Sequence, residues 1–129
     1  MSAELISKQT AKDVVAAVAA LRAAVEARGI TVSAVIDHAE AARGAGLSLP
    51  GETVVIFGNP SVGTAVMAAD ARAGLDLPLR VLVREVDGGS ELVYRDPRAL
   101  ARDFDLAAAD ATLATLSKVL DAVTDEAVA

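Results

Sequence analysis

Two segments of this sequence carry residue types that can do chemistry. The first is Asp37-His38, a carboxylate beside the one histidine of the chain. An imidazole titrates near neutral pH, so His38 suits a general acid or base in a small hydrolase or isomerase, with Asp37 beside it. The pair also suits ligand binding at a strand end. Neighbours in extended chain point in opposite directions, however, and Asp37 equally fits the N-cap of a helix starting near His38. The second segment is Gly58-Asn59-Pro60-Ser61-Val62-Gly63-Thr64, which breaks an apolar run sharply. A helix opening there turns its first N–H groups and positive dipole end outward, and Asn59, Ser61 and Thr64 add neutral donors for a small polar or anionic ligand. The bland alternative is an Asn cap, a first-turn proline and glycines chosen for tight packing. No lysine follows Gly63, so this is not a Walker A loop, and the glycine spacing is not that of a dinucleotide fingerprint.

A third group is cationic. Arg80 and Arg84 fall on one face of a strand, with Arg95 on the next strand and Asp76 just upstream. Guanidiniums so grouped grip a carboxylate or phosphate bidentately. In a chain with 12 basic against 18 acidic residues, pairing with carboxylates of the same chain or of a second copy is the stronger expectation.

Composition closes several routes. A net charge of -6 argues against nucleic-acid binding, which is driven by clustered Lys and Arg on phosphates. The aromatics are Phe57, Phe104 and Tyr94 alone, too few for base-stacking platforms. There is no cysteine and one histidine, so neither a thiolate nucleophile nor a multi-histidine or Cys-ligated metal site is expected, and no cofactor is implied. The apolar run Val14–Leu21 is far short of the roughly 20 residues that cross a bilayer. The first residues lack the basic start and apolar core of a secretory signal, so the expectation is a cytoplasmic protein with no membrane partner.

These residues need a scaffold, and 129 residues are enough for one domain spanning 1–129. Residues 4–8 read as a first strand. Thr10 then opens a helix, in which Val14, Val18, Leu21 and Val25 build an apolar stripe and Gly29 ends it. Residues 31–37 alternate as a strand, and 38–45 form a short alanine-rich helix. Thr53–Phe57 is β-branched and apolar throughout, as a central strand covered on both faces would be. Residues 62–69 are helical. Strands 78–86 and 91–95 make a hairpin about Asp87-Gly88-Gly89-Ser90. Its expected register sets Val86 opposite Glu91 and Val83 opposite Tyr94. Leu79, Val81, Val83, Leu92 and Tyr94 then share one face, and Arg80, Leu82, Arg84, Val93 and Arg95 the other. Asp96-Pro97 starts a short helix to about Phe104. Leu106, Ala109, Leu113, Leu116, Leu120 and Val123 mark a long amphipathic one. The economical assembly is α+β: a two-layer domain with a five-stranded, mainly antiparallel sheet and the two long helices on one face. A helical crossover between the second and third strands permits parallel placement. That would bring Asp37-His38 and Gly58–Thr64 to a common rim, with Arg80 within reach.

Five ordered motifs also carry a resemblance. Val-Ile-Asp-His-Ala at 35–39, Ile-Phe-Gly-Asn-Pro at 56–60, Gly-Thr at 63–64, Leu-Asp-Leu-Pro-Leu-Arg at 75–80 and Tyr-Arg-Asp-Pro at 94–97 resemble the domain of unknown function family 302 over nearly the whole chain. The resemblance implies a TATA-binding-protein-like sheet-and-helix layer and a homodimer. It implies neither DNA binding nor any catalytic residue, since a shared fold does not carry function. Three roles follow for the chain: a small-ligand binder at Asp37, His38, Gly58, Asn59, Ser61, Gly63, Thr64 and Arg80; a dimer-forming interaction module using the face of Leu82 and Val93; or an enzyme using His38.

Overall fold

Alternating side chains build five strands: β1 (Leu5–Thr10), β2 (Thr31–Asp37), β3 (Glu52–Gly58), β4 (Leu79–Val86) and β5 (Gly89–Arg95). They pair in the order β1-β5-β4-β3-β2, and every neighbouring pair is antiparallel. The computed structural model describes residues 5–129; Glu4, expected to begin the first strand, lies outside them. Among the described residues there are four α-helices: α1 (Val14–Ala27), α2 (His38–Gly44), α3 (Pro60–Ala69) and α4 (Asp110–Val128). Short 3-10 helices cover Ala71–Asp76, Pro97–Arg102 and Ala107–Ala109.

The two long helices, α1 and α4, lie together on one face of the sheet. Ala17, Leu21, Ala24 and Val25 of α1 meet Leu120, Val123 and Ala127 of α4 over Val55, Phe57, Val81, Val83, Leu92 and Tyr94. Small side chains at 17, 24 and 127 let the helices approach each other and the sheet closely. A second apolar cluster of Val66, Ala73, Leu100, Leu106, Leu113 and Leu116 sits under α3, and Leu79 packs against both clusters. The expected stripe from Leu106 to Val123 is buried in full, but α4 begins only at Asp110, and Leu106 and Ala109 belong to the 3-10 turn before it.

Three local expectations are corrected. Thr10 is the last residue of β1, not a helix start; Asp13 caps α1 by accepting from the Ala16 N–H at 2.8 Å. A β-branched residue continues an edge strand, whereas a carboxylate serves the orphan N–H groups better. β3 is fully covered on one face only: Thr53, Val55 and Phe57 are buried, while Val54 and Ile56 are half-buried on the uncovered side. The hairpin pairs Val86 with Gly89 and Val83 with Leu92, two residues tighter than expected, about the turn Asp87-Gly88. A slip of two preserves both faces, because side chains alternate with a period of two. Tyr94 therefore still faces the core, 3% exposed, and burial pushes its hydroxyl pKa up.

Lys8 fastens the β1 edge to α4. Its ammonium donates to the Asp121 and Asp125 carboxylates and to Thr124 Oγ1, all at 2.8 Å, and lies 5.8 Å from the Tyr94 ring centre. Partial burial works to lower its pKa, but the Asp121 and Asp125 carboxylates, with Tyr94 beside them, outweigh it and the pKa is raised.

Candidate functional site

Antiparallel pairing decides which polar residues meet. β3 and β5 end where β4 begins, so Gly58, Leu79, Arg80 and Arg95 gather at one end of the sheet. β2 ends at the other: Asp37 pairs with Thr53, while Gly58 pairs with Thr31. Five residues of strand separate the two rows, roughly 17 Å. Asp37-His38 and Asn59 therefore do not share a rim. The residues from 38 to 51 are numerous enough for a crossover, but the chain folds back at the end of α2. There the Gly46 and Leu47 N–H groups donate to the Arg43 and Ala42 carbonyls, and the chain re-enters the sheet with Thr53 beside Asp37 as an antiparallel neighbour.

At its own end Asp37 is an N-cap, its Oδ1 accepting from the Glu40 N–H at 2.8 Å. His38 is the exposed first residue of α2. A hollow of about 400 Å³ lies nearby between α1 and the start of β3, and Asp37, Arg43 and Glu52 line it, but His38 does not.

The Gly58–Thr64 segment builds the start of α3 as expected, and then spends its donors there. Asn59 Oδ1 accepts from the Ser61 N–H at 3.0 Å and from the Ser61 hydroxyl at 2.6 Å. The Val62 and Gly63 N–H groups both donate to the Asn59 carbonyl at 3.0 Å, and the Thr64 hydroxyl donates to the Pro60 carbonyl at 2.6 Å. Pro60 has no N–H. The first turn of α3 thus presents no unsatisfied N–H to an anion, and the Ser61 and Thr64 hydroxyls are committed inside the helix.

What the segment supplies instead is a wall. A cavity of about 200 Å³ opens between α3, the 3-10 helix Ala71–Asp76 and the Leu77–Leu79 entry to β4, with Leu116 of α4 at its apolar side. Gly58, Asn59, Pro60 and Gly63 line one side and Met67 crosses it. The Met67 thioether lies against two glycines: a Cβ would stand 3.9 Å from its Cε at Gly63 and 3.1 Å from its Sδ at Gly74. Flexible and unbranched, methionine is a wall that yields to a guest.

Asp70 holds the far wall in place. Its carboxylate caps the Ala71–Asp76 turn through the Arg72 N–H at 3.0 Å, pairs with the Arg72 guanidinium at 2.8 Å and accepts from the Asp105 N–H at 2.9 Å. The guanidinium first, and the Asp105 N–H next, keep this carboxyl well below the usual carboxylate range. Asp96 repeats the device, capping Pro97–Arg102 and pairing with Arg98 at 2.7 Å.

On the other side of Pro78 and Leu79, which line both hollows, lies a wider depression of about 460 Å³. Arg80, Arg95, Asp76, Asp96 and Asp103 give it a polar lining. The expected arginine cluster is divided here: Arg84 is taken by Glu91 across the strands at 2.7 Å, and Arg95 also has a partner. Met67, Asp70 and Gly74 have no place among the expected site residues. The one signal for them is the Asp70-Ala71-Arg72 triplet, where a carboxylate two residues before an arginine marks a capped turn. Among the described residues no group of His, Asp or Glu is arranged to hold a metal ion.

The pattern of the family described as "Domain of unknown function DUF302" matches residues 6–123. A fluoride-specific ion channel FluC 1 of Brucella suis is 35% identical over 103 residues, covering 79% of this chain and 41% of that protein. Its namesake in Brucella abortus is also 35% identical over 103 residues, which are 38% of that protein. The chain thus spans about two fifths of the length of these curated relatives. Among solved structures, the uncharacterized conserved protein DUF302 from Bacillus stearothermophilus superposes with a TM-score of 0.88 at 17% identity, over 98% of this chain and 99% of that one. That likeness shows the α+β fold.

Proposed function

This chain belongs to the DUF302 family, and from that premise we propose that it is a one-domain binder of a small ligand in the cavity beside Gly58, Asn59 and Gly63. The observation that carries the reading is a hollow, open at Asn59, Pro60 and Met67, in which Gly63 leaves room that a side chain would occupy. Its volume of about 200 Å³ suits a guest smaller than drug-sized ligands, which take roughly 300–1,000 Å³. Asn59 offers the polar rim, while Ser61 and Thr64 lie outside the lining, and Arg80 stands in the adjoining depression. Asp37 and His38 drop out of this site, being at the opposite end of the sheet.

Screening small molecules by thermal shift tests the reading. A true ligand at a hundred times its Kd stabilises by about 2.7 kcal/mol. Gly63→Leu fills the hollow, and because only the Met67 methyl lies within 4 Å of the new Cβ, the helix accepts it and gains propensity. The expected result is a ligand-induced shift in the native protein and in His38→Gln, and none in Gly63→Leu. A ligand that stabilises Gly63→Leu equally well would remove the cavity from consideration.

The channel activity named for the Brucella proteins is theirs. No helix among the described residues here is long and apolar enough to cross a membrane. We take the shared part as a domain joined to a channel in those proteins.

A homodimer is the second reading, favoured by one observation. Val54, Ile56, Leu82 and Val93 form a half-buried aliphatic row on the sheet face away from α1 and α4. Light scattering should give twice the 13.1 kDa chain mass, and Leu82→Lys half of that value. A native monomer at all concentrations would end this reading.

A further inference from the structure

No charged side chain lines the cavity beside α3. Leu77, Leu79 and Leu116 join its floor to the second apolar cluster, and Met67 crosses it from α3. Its polar side chains are Ser33 and Asn59, both neutral. The first turn of α3 keeps no N–H for an anion, since Asn59 holds those of Ser61, Val62 and Gly63. A charged group entering this space would lose hydration that no contact there replaces. Hydrocarbon has the opposite balance, leaving water for apolar walls. One oxygen is tolerated at the mouth: among the described residues the Ser33 hydroxyl has no partner, and Asn59 commits only its side-chain Oδ1. Size narrows the guest further. An apolar cavity of about 150 Å³ holds one benzene molecule, so about 200 Å³ suits roughly six to eight non-hydrogen atoms.

We infer that the cavity takes a small uncharged molecule, largely hydrocarbon with one hydroxyl or carbonyl oxygen, and excludes ions of either sign. This rests on the cavity reading above and adds the ligand's class to it. It departs from the anionic guest expected at the start of α3, because the donors that would hold an anion are satisfied within the helix.

The test uses three six-carbon probes that differ in head group: hexan-1-ol, hexanoate and hexylammonium. Each is titrated at neutral pH and followed by amide chemical shifts in the native chain and in Gly63→Leu. Hexan-1-ol should move the Gly63, Met67 and Gly74 amides of the native chain. Both ions should bind at least about tenfold more weakly, a difference of about 1.4 kcal/mol. Hexylammonium is needed beside hexanoate because a net charge of -6 by itself disfavours an anion. In Gly63→Leu, whose side chain fills the hollow, the hexan-1-ol shifts at Met67 and Gly74 should vanish. If either ion comes within the tenfold margin in the native chain and loses its shifts in Gly63→Leu, the uncharged class is overturned while the cavity reading stands. If none of the probes moves those amides, or if Gly63→Leu keeps the shifts at Met67 and Gly74, the class and the cavity reading fall together. The head-group comparison is made in the native chain, so it does not depend on how the variant folds.

Discussion

Gly89→Ala should destabilise the protein by about 3 kcal/mol or more, because the added methyl meets backbone that cannot yield. A Cβ on Gly89 would stand 2.0 Å from the Thr10 carbonyl oxygen and 2.9 Å from the Ala11 Cα and carbonyl carbon. Those atoms belong to the link between β1 and α1, which crosses directly over the hairpin turn. The link is tied down a second time, since fully buried Ser90 donates through Oγ to the Lys12 carbonyl at 2.9 Å. The link cannot lift without breaking that bond and the Thr10–Ser90 pairing of β1 with β5. Gly88 is the control. Its φ of +86° also favours glycine, but a Cβ there meets nothing within 4 Å, so Gly88→Ala should cost only about 1–2 kcal/mol. Urea unfolding separates them. The midpoint of Gly89→Ala should fall well below that of Gly88→Ala at a similar slope, and equal midpoints would mean that the link is free to move.

The contact at Gly89 also shows how far the sequence could be read. Asp-Gly-Gly-Ser between two alternating strands announces a hairpin, and the alternation fixes which residues face the core. It does not fix the register, because slips by two residues satisfy the same pattern. What selects the tighter pairing is tertiary: Gly89 must lie under Thr10 and Ala11, far away in the sequence. The long helices were legible for the opposite reason. Leu106, Ala109, Leu113, Leu116, Leu120 and Val123 recur at the helical period and are all buried, so the signal is local and strong.

The candidate site was legible in one half only. The strand-to-helix corner at Gly58–Asn59–Pro60 is encoded by glycine, a capping side chain and a first-turn proline, all acting within a few residues. Whether its donors remain available is not encoded there. That depends on Ser61 and Thr64 turning inward to Asn59 and Pro60, as side chains with nearby backbone acceptors do. The pairing of Asp37 with the Asn59 segment failed on topology, since the chain folds back at Gly46 and Leu47 and re-enters the sheet beside Asp37 rather than crossing to the starting end of β2. The apolar walls contributed by Met67, Gly74 and Leu77 come from a stretch with little periodicity, and their convergence is set by Asp70 gripping both Arg72 and the Asp105 N–H.

Phe57→Ala should cost about 3–5 kcal/mol, the range for deleting a fully buried aromatic side chain. At about 4 °C per kcal/mol for a chain of this size, the melting temperature should fall by roughly 10–20 °C. Phe57 is 0% exposed on the helix-facing side of β3, opposite Val32 on one neighbour and Leu79 on the other. It is one residue from Gly58, so it forms the floor on which the site's corner rests. Leu79 is the side chain best placed to relax into the void, because it already packs against both apolar clusters. That movement would draw one wall of the cavity away from Met67. The variant should therefore show two linked effects, a lower melting temperature and weaker binding of any guest held between α3 and Leu79. Phe104 supplies the contrast: half-buried, with Arg72 over its ring at 6.0 Å, its truncation removes less buried surface, and Phe104→Ala should cost under half as much. A Phe57→Ala loss near 1 kcal/mol would mean that the sheet closes over the missing ring, and the corner at Gly58 would then owe its position to α3 alone.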